Sequence, residues 1–101
     1  MIVYNITTKL TWSIADAWLN WQQEEHIPEM MDTELFSDYK IFKLLEHDDH
    51  EGPTYIVQFL ISSHEKYKKY IEEFAPRLRR KTIEKWGDQF VAHRTIMQLV
   101  K

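Results

Sequence analysis

The chain has no cysteine, which excludes a disulfide scaffold, the thiolate zinc sites and cysteine-nucleophile chemistry. Two glycines and three prolines in 101 residues are too few for long flexible linkers or low-complexity tails. No apolar stretch approaches the roughly 20 residues that a membrane-spanning helix needs. The opening MIVYNI runs straight into a strand pattern, without the basic and apolar leader that directs export. A cytoplasmic location is the corresponding expectation. Neither sign of charge dominates: 13 basic against 16 acidic residues leave a net charge of -3. That balance gives no general reason to expect nucleic acid as a partner.

What is present is material for a core. The sequence is 44% hydrophobic and 14% aromatic, with four tryptophans, and its length suits one domain over residues 1–101. Residues 2–10 alternate as a strand, with Ile2, Tyr4, Ile6 and Leu10 on one face and Val3, Asn5 and Thr7 on the other. Ser13 is placed to cap a helix, with Asp16 in its first turn, where the helix dipole favours a negative charge. Ile14, Ala17, Trp18 and Trp21 follow at helical spacing. The apolar stripe then loses phase: its next positions fall on Glu24 and Glu25, and it resumes at Ile27, Met30 and Met31. With Pro28 at that point, the helix is predicted to bend or break near His26 and to run to about residue 32.

Residues 37–46 and 54–62 read as two strands joined by a polar loop, His47 to Pro53. Ser62 and Glu65 have capping-box spacing ahead of a helix whose buried face is Tyr67, Tyr70, Ile71, Phe74 and Leu78. Pro76 divides that helix and Gly87 stops it. The last strand is predicted over 89–100. The order βαββαβ points to an α+β, ferredoxin-like domain with a four-stranded antiparallel sheet and both helices on one side. Placing Tyr55, Val57, Phe59 and Ile61 under the helices puts Val3, Ile41, Ile56 and Leu60 on the free face. They are joined there by Asn5, Lys43, Gln58, Arg94 and Gln98. A half-apolar open face of this kind calls for a cover, and a homodimer closed sheet to sheet, a dimeric α+β barrel, supplies one.

The stretches MIVYNIT, EEHIPEMM (24–31), EGPTYIVQF (51–59), YIEEFAPRLR (70–79) and KWGDQFVAHRT (85–95) resemble, over essentially the whole chain, a small bacterial family of domains of unknown function. That family is similar to the dimeric α+β barrel group, which includes antibiotic-biosynthesis-type monooxygenases, EthD-like proteins, muconolactone isomerases and heme-degrading enzymes. The resemblance implies the fold and the dimer; it supplies no activity, because the group spans several chemistries. Related sequences tend to place glycine after the first helix, where this chain has Thr33-Glu34.

Several clusters are candidates for chemistry. Glu24-Glu25-His26, at the phase change, offers Glu25 or His26 as an acid or base if partial burial moves its pKa; otherwise the carboxylates are solvated and His26 packs locally. His47 and His50, with the acids between and beside them, have metal-ligand chemistry but sit on a loop that imposes no geometry, so no metal site is expected. Arg77, Arg79, Arg80, Lys81 and Lys85 suit phosphates or an acidic partner, or simply solvation near a helix C-terminus. Asn5, Lys43, Gln58 and Arg94, one from each strand, form either a small-molecule pocket with Arg94 anchoring an anionic group or paired polar groups across the dimer. His93 joins them if the last strand slips by one residue. Trp18, Trp21, Tyr67 and Tyr70 read as core. No heme or flavin fingerprint is present, so any catalysis is expected to run without a cofactor. The leading expectation is a dimer that binds a small molecule or serves structurally. The alternatives are an isomerase- or monooxygenase-like enzyme and an interaction module.

Overall fold

A computed structural model describes residues 1–101. Four strands, β1 (Ile2–Leu10), β2 (Asp38–Lys43), β3 (Thr54–Ile61) and β4 (Phe90–Gln98), form one antiparallel sheet in the order β2-β3-β1-β4. The helical segments are α1 (Ala15–Trp21), α2 (Ile27–Met31), α3 (His64–Glu73) and α4 (Ala75–Trp86). The architecture is the ferredoxin-like α+β arrangement that the element order predicts. The molecule measures 38 × 32 × 19 Å, and the short dimension is that of one helix layer on one sheet. The other sheet face therefore carries no layer of its own. No helix is long and apolar enough to cross a membrane.

The covered face shows why the central strands sit where they do. Ile2, Tyr4 and Leu10 of β1 and Val57, Phe59 and Ile61 of β3 are all buried, packed with Trp18, Ile27, Met30, Tyr70 and Leu78 in one cluster. These helix-side positions recur at every second residue because β1 and β3 are central and helices bury one side of them, although Asn5 and Thr54 of the free face are buried as well. Phe74, between α3 and α4, stretches to φ -119°, two residues before Pro76, whose ring opposes continuation of α3 and is accommodated in the first turn of α4. Gly87 ends α4 at φ 62°, a conformation that glycine adopts without strain.

Local details differ from the sequence reading. Ser13 does not cap: a short 3-10 turn, Trp12–Ile14, opens the first helical run, and the Ser13 hydroxyl instead donates to Gln89 Oε1 at 3.0 Å. Ala15, not Ala17, is buried. Ser63 rather than Ser62 caps α3, accepting from the Lys66 N–H at 3.3 Å. The larger correction concerns the edge strands. Ile41 and Lys43 of β2 and Arg94 and Gln98 of β4 pair with Val57, Tyr55, Ile6 and Ile2, so they lie on the helix side and not on the free face. Edge strands escape full coverage, so a long charged side chain on the helix side still reaches water past the helices. Their alternation is correspondingly weak.

The first helical run ends on Glu34, which adopts φ 64°, the left-handed conformation that glycine occupies without strain. Thr33 N–H bonds to Met30 O at 3.2 Å and Glu34 N–H to Met31 O at 3.0 Å, closing the last turn. Glu34→Gly is accordingly expected to raise the unfolding free energy, by about 0.5–1 kcal/mol, since removing left-handed strain outweighs the added freedom of the unfolded chain. Urea unfolding of the two proteins checks the sign.

Candidate functional site

Between α1 and α2 the chain winds as a π-helix, Gln22–His26, where the Ile27 N–H reaches back five residues to Gln22 O. This wide turn absorbs the phase change of the apolar stripe. Pro28 lacks the N–H that a regular helix would need and its ring opposes the carbonyl one turn earlier, and the extra residue relieves both while Ile27 and Met30 stay fully buried. π turns of this kind occur often at functional sites. Here the turn sets Gln22 and His26 on the same wall of a cavity of about 30 Å³.

Trp18, Gln22, His26 and Met30 form one wall, Thr82 of α4 another, and Val57 and Phe59 the floor. Phe90, Ala92 and Arg94 of β4 complete the lining. Trp18, Val57 and Phe59 are almost fully buried whereas Ala92 is half-buried and Arg94 exposed, so the mouth opens toward the β4 edge. The site thus lies between the first helical run and the covered sheet face, not the free face that the sequence suggested.

Its electrostatics are one-sided. Burial pushes the His26 imidazole down to about 4, against the Glu29 carboxylate, which opposes the change, while Lys81 and Arg94 push the same way. His26 is therefore neutral at pH 7, its ring stacked on Trp21 at 4.6 Å. Burial also holds the Tyr70 phenol above its ordinary value, and the Tyr4 phenol adds to that; the cations Arg79 and Arg94 work against it. Arg79 Nη2 donates to the Tyr4 hydroxyl at 3.0 Å, and its Nε is buried without a partner. The chain's ion pairs join Glu29 to Arg77 and Lys81, and Glu51 to Lys9. Neither Arg79 nor Arg94 has a carboxylate.

The structure brings some of the sequence candidates together and separates others. His26 and Arg94 share the cavity; Glu24 and Glu25 are exposed on the outer side of the π turn. Asn5 and Gln58 are cross-strand partners on the free face, where Asn5 Nδ2 donates to Thr7 at 3.3 Å and Thr95 at 3.4 Å. Lys43 is at the far edge of the other face. His93 lies on the free face, one residue from Arg94. The loop of His47 and His50 brings no ligand set together: no three His, Asp or Glu side chains gather anywhere in the chain. Its polar groups serve the loop, with the His50 N–H on Asp48 Oδ1 at 3.0 Å and the Trp12 indole on Asp49 O at 2.8 Å. The basic stretch is divided too: Arg79 turns inward to Tyr4, and Arg77 and Lys81 pair with Glu29.

Gln22, Thr82 and Trp18 escaped the sequence reading as site residues. Gln22 left a usable signal, a polar residue one turn after Trp18 on an otherwise apolar stripe, and it is buried.

Comparison with solved structures places this architecture among known ones. The chain superposes on an ethyl tert-butyl ether D (EthD) family protein from Bacillus halodurans with a TM-score of 0.71 at 12% identity, over 99% of this chain and all of that one. It superposes equally, at 5% identity, on SnoaB, a cofactor-independent oxygenase from Streptomyces nogalater, over 99% of this chain and 94% of that one. A dimeric ferredoxin-like protein from an uncultured marine organism gives 0.67 at 17% identity, over 100% and 96%. At such identities the likeness is one of fold. No functionally curated protein matches the sequence. The family pattern described as Domain of unknown function (DUF4286) matches residues 1–100, and the chain belongs to that family.

Proposed function

We propose that this protein is a homodimer closed through its free sheet face, each protomer binding a small molecule beneath the π turn. The observation that carries the binding reading is the convergence of Gln22, His26, Thr82 and Arg94 on a cavity with an apolar floor, the composition typical of ligand sites. Its volume of about 30 Å³ holds about two water-sized groups, far below the several hundred cubic ångströms that enclose a whole drug-sized ligand. The ligand therefore inserts one small group and keeps its body in the mouth beside His26 and Arg94.

The dimer reading rests on the bare face. Phe42, Val91 and Met97 are 45%, 57% and 41% exposed there, around Val3, Ile56 and Leu60. Four strands of this length present roughly 500 Å² in plan, and side-chain relief brings that near the about 800 Å² per partner of a standard interface. The fold is also that of proteins described as dimeric. Sedimentation equilibrium is expected to give a dimer for the wild type and a shift of at least a hundredfold in dissociation constant for Leu60→Glu, because a buried unpaired charge is costly. A wild-type monomer overturns the dimer reading. For binding, members of a metabolite mixture are expected to shift the Trp18 indole resonance in the wild type but not in Ala92→Leu, which fills the cavity. No shift with any compound defeats the binding reading.

A second reading, a cofactor-independent enzyme with His26 as its base, is favoured by one observation: a neutral imidazole faces the cavity. With its pKa near 4, His26 is a weak base at neutral pH, so binding comes first and catalysis needs a substrate that raises that pKa.

A further inference from the structure

The cavity beneath the π turn has a chemistry narrower than its size suggests, and the inference here rests on the binding reading above. We propose that the group it takes is a carboxylate, its two oxygens inside the cavity and Arg94 at the mouth as its counter-ion. Three observations support that choice.

The first is charge. Arg94 lines the mouth and has no carboxylate partner, because the acids that form ion pairs are committed to Arg77, Lys81 and Lys9. Arg79, one turn before the cavity residue Thr82 on α4, is a second cation with only the Tyr4 hydroxyl as a partner and a buried, unpartnered Nε. Arg79 does not line the cavity, whereas Arg94 does and, being exposed, keeps its guanidinium free to meet an anion at the mouth.

The second is the balance of donors and acceptors. Trp18 is 2% exposed, lines the cavity, and its indole N–H has no acceptor. Thr82 has already given its hydroxyl proton to Leu78 O at 3.1 Å. The one buried polar atom of the lining without a partner is thus a donor, and an ionised carboxylate only accepts.

The third is size. Room for about two water-sized groups matches the two oxygens of a carboxylate. A phosphate, with four oxygens around phosphorus, does not fit in the same volume.

The test uses isotope-labelled full-length protein, with benzoate and butyrate as the carboxylate probes. Benzamide and butyramide serve as their neutral counterparts, and inorganic phosphate as the competing anion. Saturable shifts of the Trp18 indole signal are expected with the carboxylates, at least tenfold tighter than with the amides and absent with phosphate. Arg94→Gln is expected to remove that tenfold preference, and Arg94→Lys to retain part of it, with the amide spectrum otherwise unchanged in both. Amides that bind as well as the acids, or acids that bind Arg94→Gln as well as wild type, overturn the carboxylate assignment and leave the pocket standing. Phosphate binding in place of the acids assigns the site to a different anion and also overturns it. Silence from every probe overturns the carboxylate inference. The pocket reading falls only if the metabolite mixture is silent as well.

Discussion

Gly52→Ala is expected to remove about 3–5 kcal/mol of the folding stability of this protein. A Cβ at residue 52 would stand 1.5 Å from the carbonyl oxygen of Leu10, 2.6 Å from its carbonyl carbon and 3.0 Å from Thr11 Cα. All three are backbone atoms, so no rotamer change makes room. The contact is held by hydrogen bonds from the Leu10 N–H to Pro53 O at 3.0 Å and from the Trp12 N–H to Glu51 O at 3.2 Å. The Trp12 indole adds its bond to Asp49 O. Making space means lifting the loop away from the end of β1 and losing those bonds. Overpacking together with broken backbone hydrogen bonds costs about 3–5 kcal/mol, against a total of about 5–15 kcal/mol for a domain. Thermal unfolding is expected to fall by at least about 12 °C. Gly87→Ala is the control: its Cβ meets nothing within 4 Å, and its cost comes from backbone strain at φ 62°, about 1–3 kcal/mol. A Gly52→Ala protein as stable as Gly87→Ala would contradict the close packing of this loop on β1.

Acid is expected to weaken the fold through His26 before the bulk of the carboxylates titrate. Its folded pKa, about 4, lies below the 6.5 of an exposed histidine. Burial is the leading cause, and the Glu29 carboxylate only partly offsets it. Between those two values the unfolded chain binds a proton that the folded protein does not, so stability rises with pH across the window. The contribution is complete above about pH 6.5 and is lost as the pH falls toward about 4, by up to about 3 kcal/mol. His26→Phe keeps a ring on Trp21 and has no proton to bind. Urea unfolding of both proteins at about pH 7.5 and about pH 4.5 is expected to show the wild type losing more than the variant on acidification. Equal losses would mean that His26 is not held neutral by the fold. A carboxylate bound beside it would raise the same pKa, so ligand and proton would reinforce each other's binding.

How much of this was legible from residues alone depended on coverage. β1 and β3, covered by helices on one side, bury Ile2, Tyr4, Val57 and Phe59 at every second position, and the helix-side face follows from them. β2 and β4 are edges, where Phe42 and Met97 stay exposed on one face while Tyr39 and Ile96, on the other, are themselves partly exposed. Their polarity therefore carries little information about direction. Nothing in the residues around Arg94 and Lys43 marks their face, because at an edge both faces reach water. The break in the first helical run was legible at Glu24, Glu25 and Pro28. Its form as a π turn was not, because the wide turn depends on keeping Trp18 and Met30 in one core, a tertiary requirement. The left-handed residue closing that run was legible only as a missing glycine, and Glu34 stands there under strain.

The π turn also has a meaning in terms of chain length. A helix that must pass one more residue per turn is, locally, a regular helix with one amino acid inserted. That surplus residue widens the step from Gln22 to Ile27, so that Gln22 and His26 line the cavity while Ile27 and Met30 remain in the core. Deleting a single exposed position of the turn, such as Gln23 or Glu24, would restore a regular helix and bring Ile27 four residues after Gln22, onto the same face. The shape of the cavity wall is, for this fold, set by one residue of chain. New binding sites in proteins of this architecture can therefore arise by insertion within a helix, with no change to the sheet beneath it.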